Sequence, residues 1–328
     1  MAILVTGSAG RIGSRVVDRL LAEGQAVNGF DLRNTGRSDP GYREIVGAFD
    51  DRVAAREAVQ DAEAILHLGA FMSWLPADTD KLFRANVDGT RVLMEEAAGV
   101  KPSRIVFASS GEVYPENVPD YLPVDEDHPL KPRSAYGLSK QLGEEIVRFT
   151  ERSTGIPATI LRFSHTQDAS ELLDESSFFS GPRFFLQPKI RQQEGFGNAA
   201  AVAALKAVDD GAPALVLSRN ENGRPFRMHI TDARDMVDGI LLAVRSEKAA
   251  GRTYNLGATA PVDFAHALPL MAQVTGLPLK TVDLPGSGVF YETANARIRA
   301  ELGFEPQWTI ERMIEEAAAA RVARAKAA

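Results

Sequence analysis

Tyr136 and Lys140 stand four residues apart in the stretch Tyr136-Gly137-Leu138-Ser139-Lys140. Residues 134–152 read as one long helix, and helix positions i and i+4 share a face, so the two side chains lie one turn apart. An ammonium beside a phenol favours phenolate, which brings a group with an ordinary pKa of about 10 toward neutral acid–base chemistry. Ser110 ends the apolar run Ile105-Val106-Phe107-Ala108-Ser109. That run reads as a strand, and ligands bind at the C-terminal edge of open α/β sheets. The Ser110 hydroxyl can hydrogen-bond a substrate carbonyl or hydroxyl.

Near the N-terminus, Thr6-Gly7-Ser8-Ala9-Gly10-Arg11-Ile12-Gly13 sits where a first strand, Ala2 to Thr6, meets a first helix at 11–23. Gly7 permits a tight turn, Gly10 admits a pyrophosphate close to the backbone, and Gly13 allows close helix–strand packing. The helix N-terminus then points N–H groups at phosphate. Asp31 ends the next strand, 18 residues past Gly13. A carboxylate there binds both ribose hydroxyls and repels a 2′-phosphate, which favours NAD over NADP. Arg11 and Arg33 could neutralise such a phosphate, so the alternative stays open. Lys140 could hold the nicotinamide ribose.

These sites need elements to position them. The first half alternates strand-like and helix-like segments: strands at 2–6, 26–31, 45–46, 64–68, 104–109 and 158–163, helices at 11–23, 80–98 and 134–152. That alternation predicts a Rossmann-type doubly wound parallel sheet, an α/β fold, with a smaller C-terminal α/β substrate lobe. The NAD-binding domain is expected at 1–165, with a return near 225–250. The substrate lobe is expected at 166–224 and 251–328. Residues 164–200 show no clear period and read as a binding loop or lid.

The chain has 328 residues, of which 45% are hydrophobic and 25% charged, with a net charge of −7. This composition fits a globular protein with a large core, and argues against nucleic acid or an anionic membrane as partner. It contains no cysteine, which excludes disulfides, thiolate catalysis and Cys-ligated zinc. The five histidines, at 67, 128, 165, 229 and 266, lack metal-ligand spacing, so no metal is expected. No signal peptide and no apolar run of about 18 residues is read, so the expected location is cytoplasmic.

Taken together, the chain resembles the extended short-chain dehydrogenase/reductase family, in its NAD-dependent epimerase/dehydratase branch. The matching pieces are TGSAGRIG at the first turn, HLGA at 67–70, NVDGT at 86–90, SSGEVY at 109–114, YGLSK at 136–140, YNLG at 254–257 and the closing ELGFEPQWTIERMIEE. The resemblance implies a catalytic Ser110, Tyr136 and Lys140, with Glu112 as an added acid/base. It implies tightly held NAD with Gly7, Gly10, Ile12, Asp31, Leu68, Ala70 and Asn86 nearby. Arg11, Gly13, Leu32, Gly69, Ala108, Phe163 and His165 complete the expected cofactor set, with Tyr136 and Lys140 facing it. It further implies a homodimer built from the helices at 80–98 and 134–152.

The implied activity is epimerisation or dehydration of a sugar or nucleotide-sugar through transient oxidation of a hydroxyl. The alternative is a dehydrogenase of a free sugar or sugar acid. Substrate contacts are expected from Trp74, Ser110, His165, Arg183 and Arg227, with Phe178, Phe179 and Arg191 as further candidates. Three departures from the family's usual pattern bear on this. Ala48 stands where an Asp often contacts adenine, and His165 where an Asn commonly touches substrate. The Arg-rich diphosphate-gripping strand is reduced to Arg224, Arg227, Met228 and His229.

Overall fold

The computed structural model describes residues 1–115 and 117–327. Six strands of the first half are β1 (Ala2–Thr6), β2 (Val27–Asp31), β3 (Tyr42–Val46), β4 (Ala62–His67), β5 (Arg104–Ser110) and β6 (Ala158–Phe163). They join one seven-stranded sheet whose seventh strand is Thr253–Leu256, in the order Thr253–Leu256, β6, β5, β4, β1, β2, β3. All its pairings are parallel. The sheet order reverses direction beside β1, between β4 and β2, and a crevice opens there at the strands' C-terminal ends.

Helices α1 (Arg11–Ala22), α2 (Arg52–Val59), α3 (Thr79–Phe83), α4 (Gly89–Val100) and α5 (Ala135–Thr154) carry the sheet's cover. One face packs Ile65, Ile105, Phe107 and Ile160 against Val92, Leu93 and Val147 of α4 and α5. The other packs Val5, Leu66 and Leu161 against Val16, Val17 and Leu20 of α1 and Met236 and Ile240 of the helix Ala233–Arg245. The strands are thus buried on both faces, which is why they read as continuous apolar runs rather than alternating ones.

The chain returns to this sheet as the helix Ala233–Arg245 and the strand Thr253–Leu256. The expected boundary at 251 therefore fails: the YNL run is an edge strand beside β6, with Tyr254 paired to Leu161. A strand of four residues carries no mark of the sheet it joins. The 164–200 stretch also differs from the expected loop. It contains the helices Ser180–Phe184, Leu186–Gly195 and the start of Ala199–Lys206. Phe184, Phe185, Leu186 and Ile190 enter a second core with Tyr114, Leu215, Phe264 and Met271. Frequent polar residues at the other positions mask the helical period.

A buried ionic network ties α5 to the sheet. Arg162 of β6 donates to Glu144 of α5 at 2.9 and 2.8 Å, and Ser109 of β5 donates to the same carboxylate at 2.6 Å. Arg162 also reaches the Tyr114 hydroxyl at 2.7 Å. Burial penalises the Glu144 carboxylate, but the bonds and charge of Arg162 outweigh it and hold the pKa below the ordinary value. Glu144→Ala leaves a buried guanidinium unpaired and is expected to cost about 3–5 kcal/mol in a denaturant melt. A loss near zero would show that the network is not structural.

Candidate active site

A single cavity of about 780 Å³ runs along the sheet's C-terminal edge, from the glycine turn to β6. Its lining brings together Gly7, Gly10, Arg11, Ile12, Gly13, Asp31 and Leu32 at one end, and Ser110, Glu112, Tyr136, Lys140, Phe163 and His165 at the other. Leu68, Gly69, Ala70, Trp74 and Ala108 line it between them.

The glycine turn is built at backbone contact. Gly7 has φ +67°, and a Cβ there would sit 2.6 Å from Gly69 Cα. A Cβ on Gly13 would lie 2.0 Å from the Gly7 carbonyl oxygen, so only glycine lets α1 start this close to β1. Gly10, the cap of α1, has no side chain to accept from the helix's first turn. Asp31 accepts from the Ala9 N–H at 3.1 Å and the Arg33 N–H at 3.0 Å, which aims its carboxylate into the cavity. Arg33 donates to the Ala9 carbonyl. Arg11 pairs with Glu171 and covers the Phe179 ring at 5.0 Å. The geometry therefore fits a dinucleotide with a free 2′-hydroxyl, since Asp31 would repel a phosphate and Arg11 is already engaged.

The reactive end is assembled by three elements. β5 delivers Ser110, whose hydroxyl accepts from the Glu112 N–H at 3.1 Å. Ser134 caps α5 through Gly137 N–H at 2.9 Å and donates to Glu112 at 2.6 Å, so the helix start and the carboxylate are fixed together. The Trp74 indole donates to the same carboxylate at 3.0 Å. Burial pushes the Glu112 pKa up, against the lowering effect of these two bonds.

Tyr136 departs from the expectation that Lys140 draws its phenol toward neutral pH. Burial, and then the nearby Glu112 charge, push its pKa up, with the Ser110 hydrogen bond acting in the opposite sense. Lys140 itself is lowered to about 7 by burial, which the more distant Glu144 charge only partly offsets. Its amine lies 4.4 Å from the Phe107 ring centroid. Sequence spacing shows the shared helix face but not the low-dielectric setting, which here outweighs the pair's attraction.

Five expected site residues lie outside the cavity lining: Asn86, Phe178, Arg183, Arg191 and Arg227. Asn86 is buried in a π-helical turn at Arg84–Asp88 and clamps the backbone of Phe71 at 2.7 and 2.8 Å. It holds the 68–72 loop rather than lining the cavity. Arg183 sits behind His165, with its guanidinium 3.0 Å from Nδ1. Arg227 lies on a short strand paired with Phe290–Tyr291, 3.9 Å from Glu292 and outside the cavity. His165 does line it, and burial followed by the Arg183 charge keeps its imidazole neutral, well below the usual pKa. Met72 and Thr166 line it, within the stretches 71–78 and 164–200 expected on the substrate side, while Tyr291, Lys81 and Arg84 also line it and escaped sequence reasoning. Tyr291 donates to the Gly111 carbonyl at 3.0 Å across 180 residues of chain, a contact with no local signal. Ala48 lines the dinucleotide end, as its register beside β3 predicts.

Residues 3–170 match the model of the NAD dependent epimerase/dehydratase family. A crystal structure of a short-chain dehydrogenase/reductase superfamily protein from Agrobacterium tumefaciens with bound NAD is 60% identical, covering 100% of this chain and 99% of that one at a TM-score of 0.96. The UDP-glucose 4-epimerase of Lactobacillus helveticus is 26% identical over 94% of this chain and 92% of its own. The dTDP-glucose 4,6-dehydratase of Streptomyces griseus is 28% identical over 93% and 89%. With its parallel sheet, glycine turn and Ser110/Tyr136/Lys140 convergence, the chain belongs to the NAD-dependent epimerase/dehydratase family of short-chain dehydrogenase/reductase enzymes.

Proposed function

We propose that this enzyme oxidises a sugar hydroxyl transiently, as an NAD-dependent epimerase or dehydratase. The observation that carries the reading is the convergence of Ser110, Glu112, Tyr136 and Lys140 on the cavity that also holds the glycine turn and Asp31. Gly7, Gly10, Ile12 and Gly13 would hold the pyrophosphate, and Asp31 the adenosine ribose. Bound NAD supplies the hydride acceptor and a positively charged ring that favours the Tyr136 phenolate.

Tyr136 takes the hydroxyl proton as the carbinol carbon loses hydride, and Ser110 donates to the substrate oxygen. Lys140, with an amine that titrates near neutral pH, passes the proton onward and returns it. Glu112 keeps its proton to higher pH than an ordinary carboxyl. It can therefore donate to a leaving hydroxyl, which a dehydratase needs, or hydrogen-bond a ring hydroxyl, which suffices for an epimerase. The same first step serves a dehydrogenase of a free sugar or sugar acid. Steady accumulation of free NADH separates that reading from one in which hydride returns within the site.

No helix among the described residues is long and apolar enough to cross a membrane. A cytoplasmic homodimer is the arrangement this reading includes. Its interface is the α4/α5 face, where Phe149 is 62% exposed and Leu142 and Leu138 are half-exposed beside Met94 and Ile146. Phe149→Glu is expected to convert the dimer to monomer in analytical ultracentrifugation, and a wild-type monomer would refute the interface.

Tyr136→Phe is expected to lower turnover by about 10²–10⁴-fold while leaving NAD binding intact by fluorescence titration. Retention of full turnover would sink the proposed base.

Lys140 gives a pH signature. Its pKa falls from 10.5 to about 7 on folding, so between those values the unfolded chain binds the extra proton and stability rises with pH. Lys140→Met removes this increment. Identical pH-dependence of melting in both proteins over that window would contradict the assignment.

A further inference from the structure

The substrate end of the cavity is lined by Tyr136, Trp74, Phe179 and His165, and Phe178, outside that lining, packs on Trp74 and Phe179 to join them into one row of rings. Tyr136 and Trp74 have centroids 6.3 Å apart, Trp74 and Phe178 6.1 Å, Phe178 and Phe179 5.0 Å, and Phe179 and His165 5.9 Å. A ligand threading between two rings needs van der Waals contact on both sides, about 7 Å in all. None of these gaps reaches that span. The row crosses from the nucleotide-binding sheet, through Tyr136 and Trp74, to the second lobe, through Phe178 and Phe179. It is braced at two of its members: Trp74 donates to Glu112, and Arg11 covers Phe179 while pairing with Glu171.

The cavity takes no lining from residues 180–290. Three arginines of that stretch are committed to other groups. Arg219 pairs with Asp283, Arg224 lies 3.8 Å over the Phe290 ring, and Arg227 faces Glu292. Lys189 is buried against the Pro182 carbonyl at 3.3 Å and has its pKa lowered to about 8 by burial. A diphosphate carries charge that must be met by cations or N–H groups. Besides Lys140, the cations lining this cavity are Arg11, paired with Glu171, Arg33, beside Asp31, Arg84, paired with Asp50, and Lys81, 4.3 Å over the Phe71 ring.

We infer that the substrate is an unlinked sugar of monosaccharide size, neutral or acidic, and that the Tyr136–Trp74–Phe178–Phe179–His165 row excludes nucleotide-linked sugars. The inference rests on the hydroxyl-oxidation reading above. Under the row, Glu112, Ser110, Thr166 and His165 offer hydrogen bonds to hydroxyls, and the Trp74 face packs on sugar C–H groups. The redox step is unchanged: the substrate C–H gives hydride to NAD and its O–H proton goes to Tyr136.

The test uses the full-length protein loaded with NAD, mixed in single turnover with two panels and followed by NADH fluorescence. One panel holds free aldoses, aldonates and uronates; the other holds UDP- and dTDP-hexoses. At least one free compound is expected to reduce the bound cofactor about a hundredfold faster than any nucleotide-sugar. Faster reduction by a nucleotide-sugar overturns the inference and leaves hydroxyl oxidation standing. Silence in both panels defeats hydroxyl oxidation itself, and the inference with it. Phe178→Ala, at a 60% exposed position that folding tolerates, is expected to raise KM for the free substrate roughly tenfold with a smaller effect on kcat. Unchanged KM and unchanged exclusion of nucleotide-sugars in that variant would show that the ring row does not set substrate size.

Discussion

The buried contact among Glu144, Arg162 and Ser109 is the constraint on which the reactive geometry depends. It joins the middle of α5 to two adjacent strands, β5 and β6, inside a region that excludes water. Tyr136 and Lys140 lie on α5 upstream of Glu144, and Ser110 follows Ser109 directly on β5. The ion pair therefore sets the distance between helix and strand, and with it the approach of the three reactive groups. Apolar residues could hold the helix against the sheet as firmly, but a bidentate charged contact also defines its rotation and register.

A second constraint acts on the cofactor half. Gly7, Gly13 and Gly69 let backbone meet backbone where any side chain would collide. That closeness brings the start of α1, the β4 exit and the tip of β1 around one concavity. Thr6 and His67 extend it inward: Thr6 is bonded to His67 at 2.7 Å and receives the Gly69 N–H at 3.1 Å. Burial, followed by the Lys140 charge, lowers the His67 pKa to about 3, so this imidazole is a neutral structural link near neutral pH.

The electrostatics of the reactive end share one cause. Glu112, Tyr136 and Lys140 are all pushed by burial toward their neutral forms. The protein's own charges do not generate a phenolate. They leave a low-dielectric space in which a bound positive ring exerts a large effect, consistent with chemistry that begins only when the cofactor is seated.

Local signals were enough for the parallel sheet, the glycine turn, Asp31, and the placing of Tyr136 and Lys140 on one helical face. Each depends on short-range geometry: the strand and helix periods, a left-handed glycine, and an i,i+4 spacing. The partners of Arg162 and the roles of Asn86, Arg183 and Arg227 depended on contacts across long stretches of chain. So did the helices hidden in 164–200, the return of Thr253–Leu256 to the sheet edge, and the closure of Trp74 over Phe178. Tertiary structure also decided the titration order of Tyr136 and Lys140. Spacing along a helix reports proximity, while a pKa responds to burial, and burial is a property of the whole fold.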